Sequence, residues 1–251
     1  RHTGACLGLA VNYAGSYCVP VDSLRSPSFT QRYGISASIM DELPYNLVAQ
    51  PGDKERGVAL MQQGPGVYDE YVVDWLYRPV PGAATPEDEV AELDRRIAAR
   101  RSDPMCLYTP PPVAVALDPR SMPYNLGDDP VRAAAYEFAN YAYVMKHADE
   151  WIGEEDADYT FRSLVQASVM NQLYYAFVSV SANLYEGDAL PTYLSVPRDL
   201  QRRALRFMLE RLEDMSWLDN ERLNKDVVEV VSLGEYCRDM LSDVIFKSLS
   251  T

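Results

Sequence analysis

Apolar side chains recur at helical spacing over much of the chain that follows residue 66. Residues 67–77, VYDEYVVDWLY, place apolar positions three and four apart, which predicts an amphipathic helix. Thr85, Pro86 and the acids that follow them form a helix start, so a second helix is predicted to run to about Arg101. Its narrow apolar stripe favours a position on the surface and consists of Val90, Leu93 and Ile97.

The helical pattern is strongest in the last half of the chain. Helices are predicted from Asp129-Pro130 to about Glu150, from about Ala157 to Tyr185 before Gly187, and from Pro197 to about Leu212. The second of these is apolar on more than one face, which predicts a central, buried helix; it carries Leu164, Val165, Val169, Leu173, Phe177, Val178 and Val180. The last helix has a stripe made of Leu233, Tyr236, Cys237, Met240, Leu241, Val244 and Ile245. Since no segment alternates like a strand over six or more residues, the chain is predicted to be mainly α.

The first 53 residues have a different pattern. After an opening helix they are broken repeatedly by glycine and proline, which predicts a compact, loop-rich layer. A proline-rich connection at 104–123, with an extended PPP run, separates this part from the helical part. The predicted domains are therefore 1–110 and 111–251.

Composition narrows the range of partners. The chain has 251 residues, 47% of them hydrophobic, and a net charge of −14, so it can bury a substantial core and is repelled by phosphate backbones and anionic membranes. Nucleic acid is therefore excluded as an expected partner, and no run of 18 apolar residues predicts a membrane span. The four cysteines show no C-x-x-C spacing, so two disulfides and free buried thiols both remain open.

Candidate chemistry lies in the first twelve residues, RHTGACLGLAVN, and in the SIMD tetrapeptide at 38–41. A metzincin zinc site needs H-E-x-x-H-x-x-G-x-x-H and, downstream, a Met-turn, because two histidines one helical turn apart share a face and the glycine lets the chain swing round. With Gly8 on the motif glycine, Arg1, Ala5 and Val11 stand at the three histidine positions. His2 stands at the position of the catalytic glutamate.

From Gly8 to Asp53 the sequence resembles the segment after the zinc helix in a family of large secreted bacterial zinc-dependent metalloproteases. There, too, an asparagine follows the third histidine, as Asn12 follows Val11. The resemblance continues through GPGVYDEYVVDWLYRP at 64–79 and LGDDPVRAAAYEFANYAYVMKHADEW at 126–151, and it weakens afterwards. It implies the lower half of a metzincin-like catalytic domain, with a truncated active-site helix and a loop-rich Met-turn layer, followed by a helical C-terminal region.

The resemblance also implies roles for several residues and a setting for the protein. Gly8, Asn12, Met40 and Asp41 are the structural motif residues, and Tyr45 is expected near the vestigial cleft. The family's upstream segment, with the export signal and the upper half of the catalytic domain, is expected to precede residue 1. An extracytoplasmic location, whether secreted, periplasmic or at the cell surface, follows from the resemblance.

Zinc is the family's cofactor, yet this chain lacks its ligands. Arginine stays protonated, and alanine and valine have no donor atom, so Arg1, Ala5 and Val11 cannot replace the histidines. The whole chain holds two histidines, which excludes a three-histidine site within it. A substitute site made of His2, Cys6 and Cys18 is the less favoured interpretation, because such sites normally have clearly spaced ligands. No catalytic residue, metal ligand or cofactor is therefore predicted.

Three functional hypotheses remain. The first is a catalytically inactive homologue of a zinc metalloprotease that binds a peptide or protein. The second is an active zinc metallopeptidase that uses non-standard ligands or ligands from segments outside this chain. The third is a structural or interaction module of a surface assembly, in which the helical region is the working part.

Overall fold

A computed structural model describes residues 1–43, 45–110, 118–153, 160–184, 196–220, 223 and 232–249 of the chain. The regular structure of these residues is helical, and none of them lies in a β-strand, so the prediction of a mainly α fold is confirmed. In chain order the α-helices are α1 (His2–Cys6), α2 (Ala14–Tyr17), α3 (Pro27–Tyr33), α4 (Val67–Tyr77), α5 (Pro86–Arg100), α6 (Pro130–Ile152), α7 (Thr160–Ser181), α8 (Arg198–Glu213) and α9 (Leu233–Leu249).

The chain divides into two compact units. The first unit comprises Arg1–Val115 with Arg120–Asp129, and the helical unit comprises Ala116–Pro119 with Pro130–Thr251. The predicted domain boundary, between 110 and 111, falls at the edge of a segment outside the described residues. The division into 1–110 and 111–251 therefore stays a prediction.

The first unit has a short helix at its start and a loop-rich layer after it. Its loops are held by buried polar side chains. Asp53 is fully buried, and its carboxylate accepts hydrogen bonds from Arg25 Nε at 2.7 Å, from the Gln50 N–H at 2.9 Å and from Arg56. Burial by itself would raise the pKa of Asp53, but these donors outweigh it and lower the pKa.

Helix α5 lies on the surface, as its sequence predicts, but its apolar stripe is not the face that it buries. Val90 is 54% exposed and Ile97 is 41% exposed. The buried side chain of the helix is Arg96, whose Nη1 donates to the Arg78 carbonyl at 2.9 Å. Its Nε donates to Glu92 at 3.0 Å. The buried face of α5 therefore carries an arginine that donates to a carbonyl and a carboxylate, where the apolar stripe was expected.

In the helical unit, α7 packs against α6, α8 and α9, which gives it the central place that its sequence predicts. Leu173, Phe177 and Val180 of α7 are fully buried. Two predicted core residues are exposed instead, namely Leu164 of α7 at 59% and Tyr236 of α9 at 53%. Periodicity identified the stripe, but the neighbouring helices cover only part of it. The predicted start and end of α7, at Ala157 and Tyr185, lie outside the described residues.

Two sequence questions are answered for the described part of the chain. None of its helices has both the length and the apolar character needed to cross a membrane. All four cysteines have free thiols: Cys18 and Cys237 are buried, Cys106 is half-buried and Cys6 is exposed.

Candidate functional site

The short helix α1 ends in a tight turn at Gly8. The Leu9 N–H donates to the Gly4 carbonyl and the Gly8 N–H donates to the Ala5 carbonyl, both at 3.0 Å. This pair of bonds is the Schellman pattern, which needs a left-handed residue just after the helix. Gly8 supplies that residue with φ of +80°. The glycine therefore turns the chain at the place where the zinc-protease motif requires a turn.

Met40 lies directly beneath α1. Its side chain is 3% exposed, and a Cβ built on Gly4 would stand only 2.6 Å from the Met40 sulfur. Real Cβ atoms do not come so close, so a larger residue at position 4 would have to displace the buried Met40 side chain. Helix α1 and the SIMD turn are therefore in direct contact.

Asp69 of α4 holds the Met-turn in shape. Its carboxylate accepts from the Ser38 hydroxyl at 2.6 Å, the Ile39 N–H at 2.7 Å and the Gly66 N–H at 2.8 Å. Gly66 passes so close to the Ala37 carbonyl that a Cβ there would collide with backbone. One buried carboxylate therefore ties the start of α4 to the turn that carries Met40.

Asp41 holds the same turn from its other side. Its Oδ2 accepts from the Ser16 N–H at 2.6 Å and from the Ser36 hydroxyl at 3.1 Å. The Asp41 side chain is buried, and this burial raises its pKa to about 7, although the Ser16 and Ser36 donors oppose the shift. The close approach needs Gly15, since a Cβ there would lie 2.6 Å from Ser36 Oγ.

The first histidine position is filled by a salt bridge. Arg1 Nη2 lies 3.3 Å from Glu42 Oε1, and the Tyr13 hydroxyl donates to the other oxygen of Glu42 at 2.9 Å. Burial, followed by the bond to Glu42, raises the pKa of Tyr13 to about 12, so this phenol stays protonated. Glu42 thus pairs with Arg1, which stands at a ligand position, and Tyr13 holds Glu42 in place.

The other motif positions lie in different environments. Ala5 and His2 are exposed on α1, and Val11 is half-buried. Asn12 is fully buried with a structural role: its side chain donates to the Leu107 carbonyl at 2.9 Å and accepts from the Ala14 and Thr109 N–H groups. Tyr45 is 55% exposed, so its predicted place in a cleft stays a prediction.

A comparison with protein families bears on this geometry. The model of the Met-zincin family matches residues 1–246 of the chain. The chain belongs to the Met-zincin family. Similar comparisons find no match among curated proteins and none among solved structures. The match supports a metalloprotease-like domain in this chain, which agrees with the resemblance carried by its Gly8 turn and its SIMD segment.

The residues present in this Met-zincin do not fit the zinc ion that the family implies. Arginine, alanine and valine at positions 1, 5 and 11 offer no ligating atom, and the guanidinium is already paired with Glu42. Within the described ranges, no three His, Cys, Asp or Glu side chains cluster closely enough to hold a metal. In the less favoured substitute set, His2 and Cys6 are exposed on α1, whereas Cys18 is buried beside Ala37 and Tyr68.

Several residues of the Met-zincin site were missed by sequence reasoning. Gly4 occupies a variable position of the zinc motif, whereas Glu42 and Asp69 lie outside it, and the roles of all three come from contacts between segments far apart in sequence. One signal was available for Asp69: a glycine followed three residues later by an acid precedes the apolar run of α4, which is typical of a helix start. The pairing of Arg1 with Glu42 had no comparable signal.

Proposed function

We propose that this Met-zincin is catalytically inactive and binds a peptide or protein segment. The observation that supports it is a retained frame with its chemistry replaced. Gly8 turns the chain and Met40 lies under Gly4, as a zinc site requires, while the first ligand position holds an arginine paired with Glu42. A cleft of protease shape can hold an extended chain without cutting it.

Loss of hydrolysis follows from the residue types. A zinc peptidase lowers the pKa of a metal-bound water and uses a glutamate as general base. Here the side chains at the three ligand positions have no atom that can bind zinc, and His2 stands in place of the glutamate. Within this proposal the protein works outside the cytoplasm, in keeping with the secreted relatives that its sequence resembles.

The direct test is metal analysis of the full-length purified protein together with a peptide-cleavage assay. We expect less than stoichiometric zinc and no chelator-sensitive cleavage. Stoichiometric zinc with chelator-sensitive cleavage would overturn the proposal in favour of an active peptidase with non-standard ligands. In that case His2→Ala and Cys6→Ala show whether these exposed side chains supply any of the metal affinity.

A gain-of-function variant tests whether the frame is retained. Arg1→His, His2→Glu, Ala5→His and Val11→His together restore the whole motif on the existing helix and turn. If Gly8 and Met40 keep the geometry, the full-length variant should bind about one zinc ion per chain. The matched control omits Ala5→His, which breaks the pair of histidines one turn apart, and it should bind zinc at least about tenfold more weakly. Failure of the complete variant to bind zinc would show that the frame has been lost as well.

One observation favours a second candidate, an interaction module. Tyr143, His147 and Trp151 form a row along α6, with ring centroids 4.5 Å and 5.7 Å apart. Tyr143 is 40% exposed and Trp151 is 57% exposed. If this face is the working surface, Trp151→Ala weakens binding of the protein's partner, whereas the peptide-cleft proposal expects no change from it.

A further inference from the structure

A cavity of about 320 Å³ lies beside the Met-turn in the first unit. That is many times the space that a single water molecule needs. Its lining includes Asp41, Ser36 and Ser38, which offer oxygen atoms, and Ile39 and Leu43, which offer apolar surface. Arg1 also belongs to the lining. The cavity therefore combines an acidic group with an apolar wall.

Asp41 is only half satisfied in this setting. Oδ2 accepts from Ser16 and Ser36, whereas Oδ1 is buried and accepts no hydrogen bond from the described residues. The Glu42 N–H lies close enough to lower the pKa of this carboxyl, but it does not reach hydrogen-bond geometry with Oδ1. A buried carboxyl oxygen without a partner costs stability, and in native proteins it usually has a reason such as a ligand.

No positive charge of the described residues compensates Asp41. The cation that lines the cavity, Arg1, lies 3.3 Å from Glu42 instead. Glu42 also receives the Tyr13 hydroxyl, which helps to hold it as the partner of Arg1. Asp41 is thus the one acidic residue of the lining, and one of its two carboxyl oxygens lacks a donor among the described residues.

We propose that this cavity binds a primary ammonium group carried on an alkyl chain, with Asp41 as its anionic partner and Ile39 and Leu43 beside the alkyl part. The serine hydroxyl oxygens are further acceptors for an ammonium group, which has three donors. Two sources share this chemistry: a lysine side chain of a bound peptide, and a free alkylamine. The lysine source rests on the proposed peptide-binding function.

Protonation gives the proposal a specific signature. Burial raises the pKa of Asp41 to about 7, whereas an ammonium ion favours the ionised carboxylate. Binding should therefore release a proton below pH 7. Tyr13 and Cys18 also lie near Asp41, but they do not contribute to the measured proton release, because burial raises the pKa of each to about 12. Arg1 stays charged, and the acids to control for are Glu42 and Asp69, whose carboxylate accepts from Ser38 and Ile39 of the lining.

The test is isothermal titration calorimetry of the full-length protein at pH 6 and pH 8 with three probes: Nα-acetyl-lysine amide, n-butylamine and Nα-acetyl-norleucine amide. We expect the two amines to bind and the neutral norleucine probe to bind at least about tenfold more weakly. Two buffers of different ionisation enthalpy measure the released proton at pH 6. Stronger binding of the lysine probe than of butylamine assigns the site to a peptide, and the reverse assigns it to a free amine.

Variants separate the cavity from its surroundings. Asp41→Asn keeps an oxygen for the Ser16 N–H and should lose about tenfold or more in amine affinity and the proton release. Leu43→Trp fills the cavity without removing a charge and should weaken binding as well. Glu55→Gln removes an exposed acid elsewhere in the first unit and should leave binding unchanged. Thermal unfolding of each variant checks that it is folded.

Two results would overturn the ammonium site: equal binding of norleucine amide and lysine amide, or unchanged amine binding in Asp41→Asn. Failure of the proposed function is distinguishable. If peptides bind the protein but Asp41→Asn makes no difference, peptide binding stands without this site. If butylamine binds through Asp41 and no peptide binds, the ammonium site stands and the peptide-binding function fails.

Discussion

Different interactions stabilise the interior of each of the two units of this protein. In the first unit, buried carboxylates tie loops together: Asp69 holds the Met-turn to α4, and Asp53 holds two arginines and a loop N–H. In the helical unit, α7 buries large apolar side chains against three other helices. Loops leave many backbone groups without helical partners, so side chains must satisfy them. Long helices satisfy their own backbone and leave packing as the main source of stability.

The largest expected effect on stability comes from creating a cavity in the core of the helical unit. Phe177 is fully buried in α7 with its ring centroid 6.4 Å from that of Phe138. Phe177→Ala removes most of that apolar contact and should lower the free energy of unfolding by about 4 kcal/mol. Hydrogen exchange of peptides from α6 to α9, with chemical denaturation, measures the loss. Phe246→Ala is the control because Phe246 is 70% exposed, so its change should stay within about 0.5 kcal/mol.

The matching change in the first unit removes one charge from a buried network. Asp53→Ala removes the buried carboxylate that accepts hydrogen bonds from Arg25, Arg56 and the Gln50 N–H, which should cost about 3 kcal/mol. Faster hydrogen exchange in peptides covering 20–60 is the expected readout. Glu55→Ala, in the same turn but exposed, should have little effect. Equal effects of the two variants would mean that the loops do not depend on the buried carboxylate.

Much of the fold could be predicted from the sequence, and less of the site. Periodicity located α4, α5, α6 and α8 within a few residues, because each of these helices carries its own local pattern and start signals. The exposed faces were harder: Leu164 and Tyr236 lie on apolar stripes, but only the neighbouring helices decide which part of a stripe is covered. Arg96 shows the same limit of sequence-based prediction. This charged residue can be buried because its guanidinium donates to two carbonyl oxygens and to Glu92.

In the site, motif spacing led to Gly8 and Met40 because a turn and a support have fixed places in the zinc-protease pattern. The partners of these residues did not follow. Gly4, Asp69 and Glu42 act through contacts over 31 to 41 residues of sequence, which no local pattern encodes. Asp41 was expected as a motif residue, but its free, buried oxygen is a property of the folded turn alone.

A smaller effect tests the contact between α1 and the Met-turn. In an isolated helix, Gly→Ala stabilises by up to about 1 kcal/mol, but the clash with Met40 at 2.6 Å should make Gly4→Ala destabilising by about 1 to 2 kcal/mol. In a Met40→Ala background the clash disappears, so the same change should become neutral or favourable. Gly8→Ala is the control: its left-handed φ of +80° meets no neighbour, so its cost should be the same in both backgrounds. Denaturation midpoints of the four combinations measure the coupling, and its absence would place α1 away from Met40.

The smallest effect concerns pH, and it contrasts two buried carboxylates of the first unit. The pKa of Asp41 is raised to about 7, chiefly by burial, so its contribution to stability is full below the ordinary acid range and is lost as pH rises through 7. Asp53, whose pKa is lowered, behaves oppositely: its contribution is present at neutral pH and is lost only in acid.

From pH 6 to pH 8 the Asp41 term should therefore lower the free energy of unfolding by about 1 kcal/mol, while the Asp53 term stays constant. Asp41→Asn should remove this fall. In the helical unit Glu137 has its pKa raised to about 8 by burial and adds a fall of the same sign, so the comparison is made in a Glu137→Gln background. Stability measured at several pH values with and without Asp41→Asn decides the matter. If the two curves run parallel, Asp41 is ionised in the folded protein, and its uncompensated charge must then find its cation elsewhere than in the described residues.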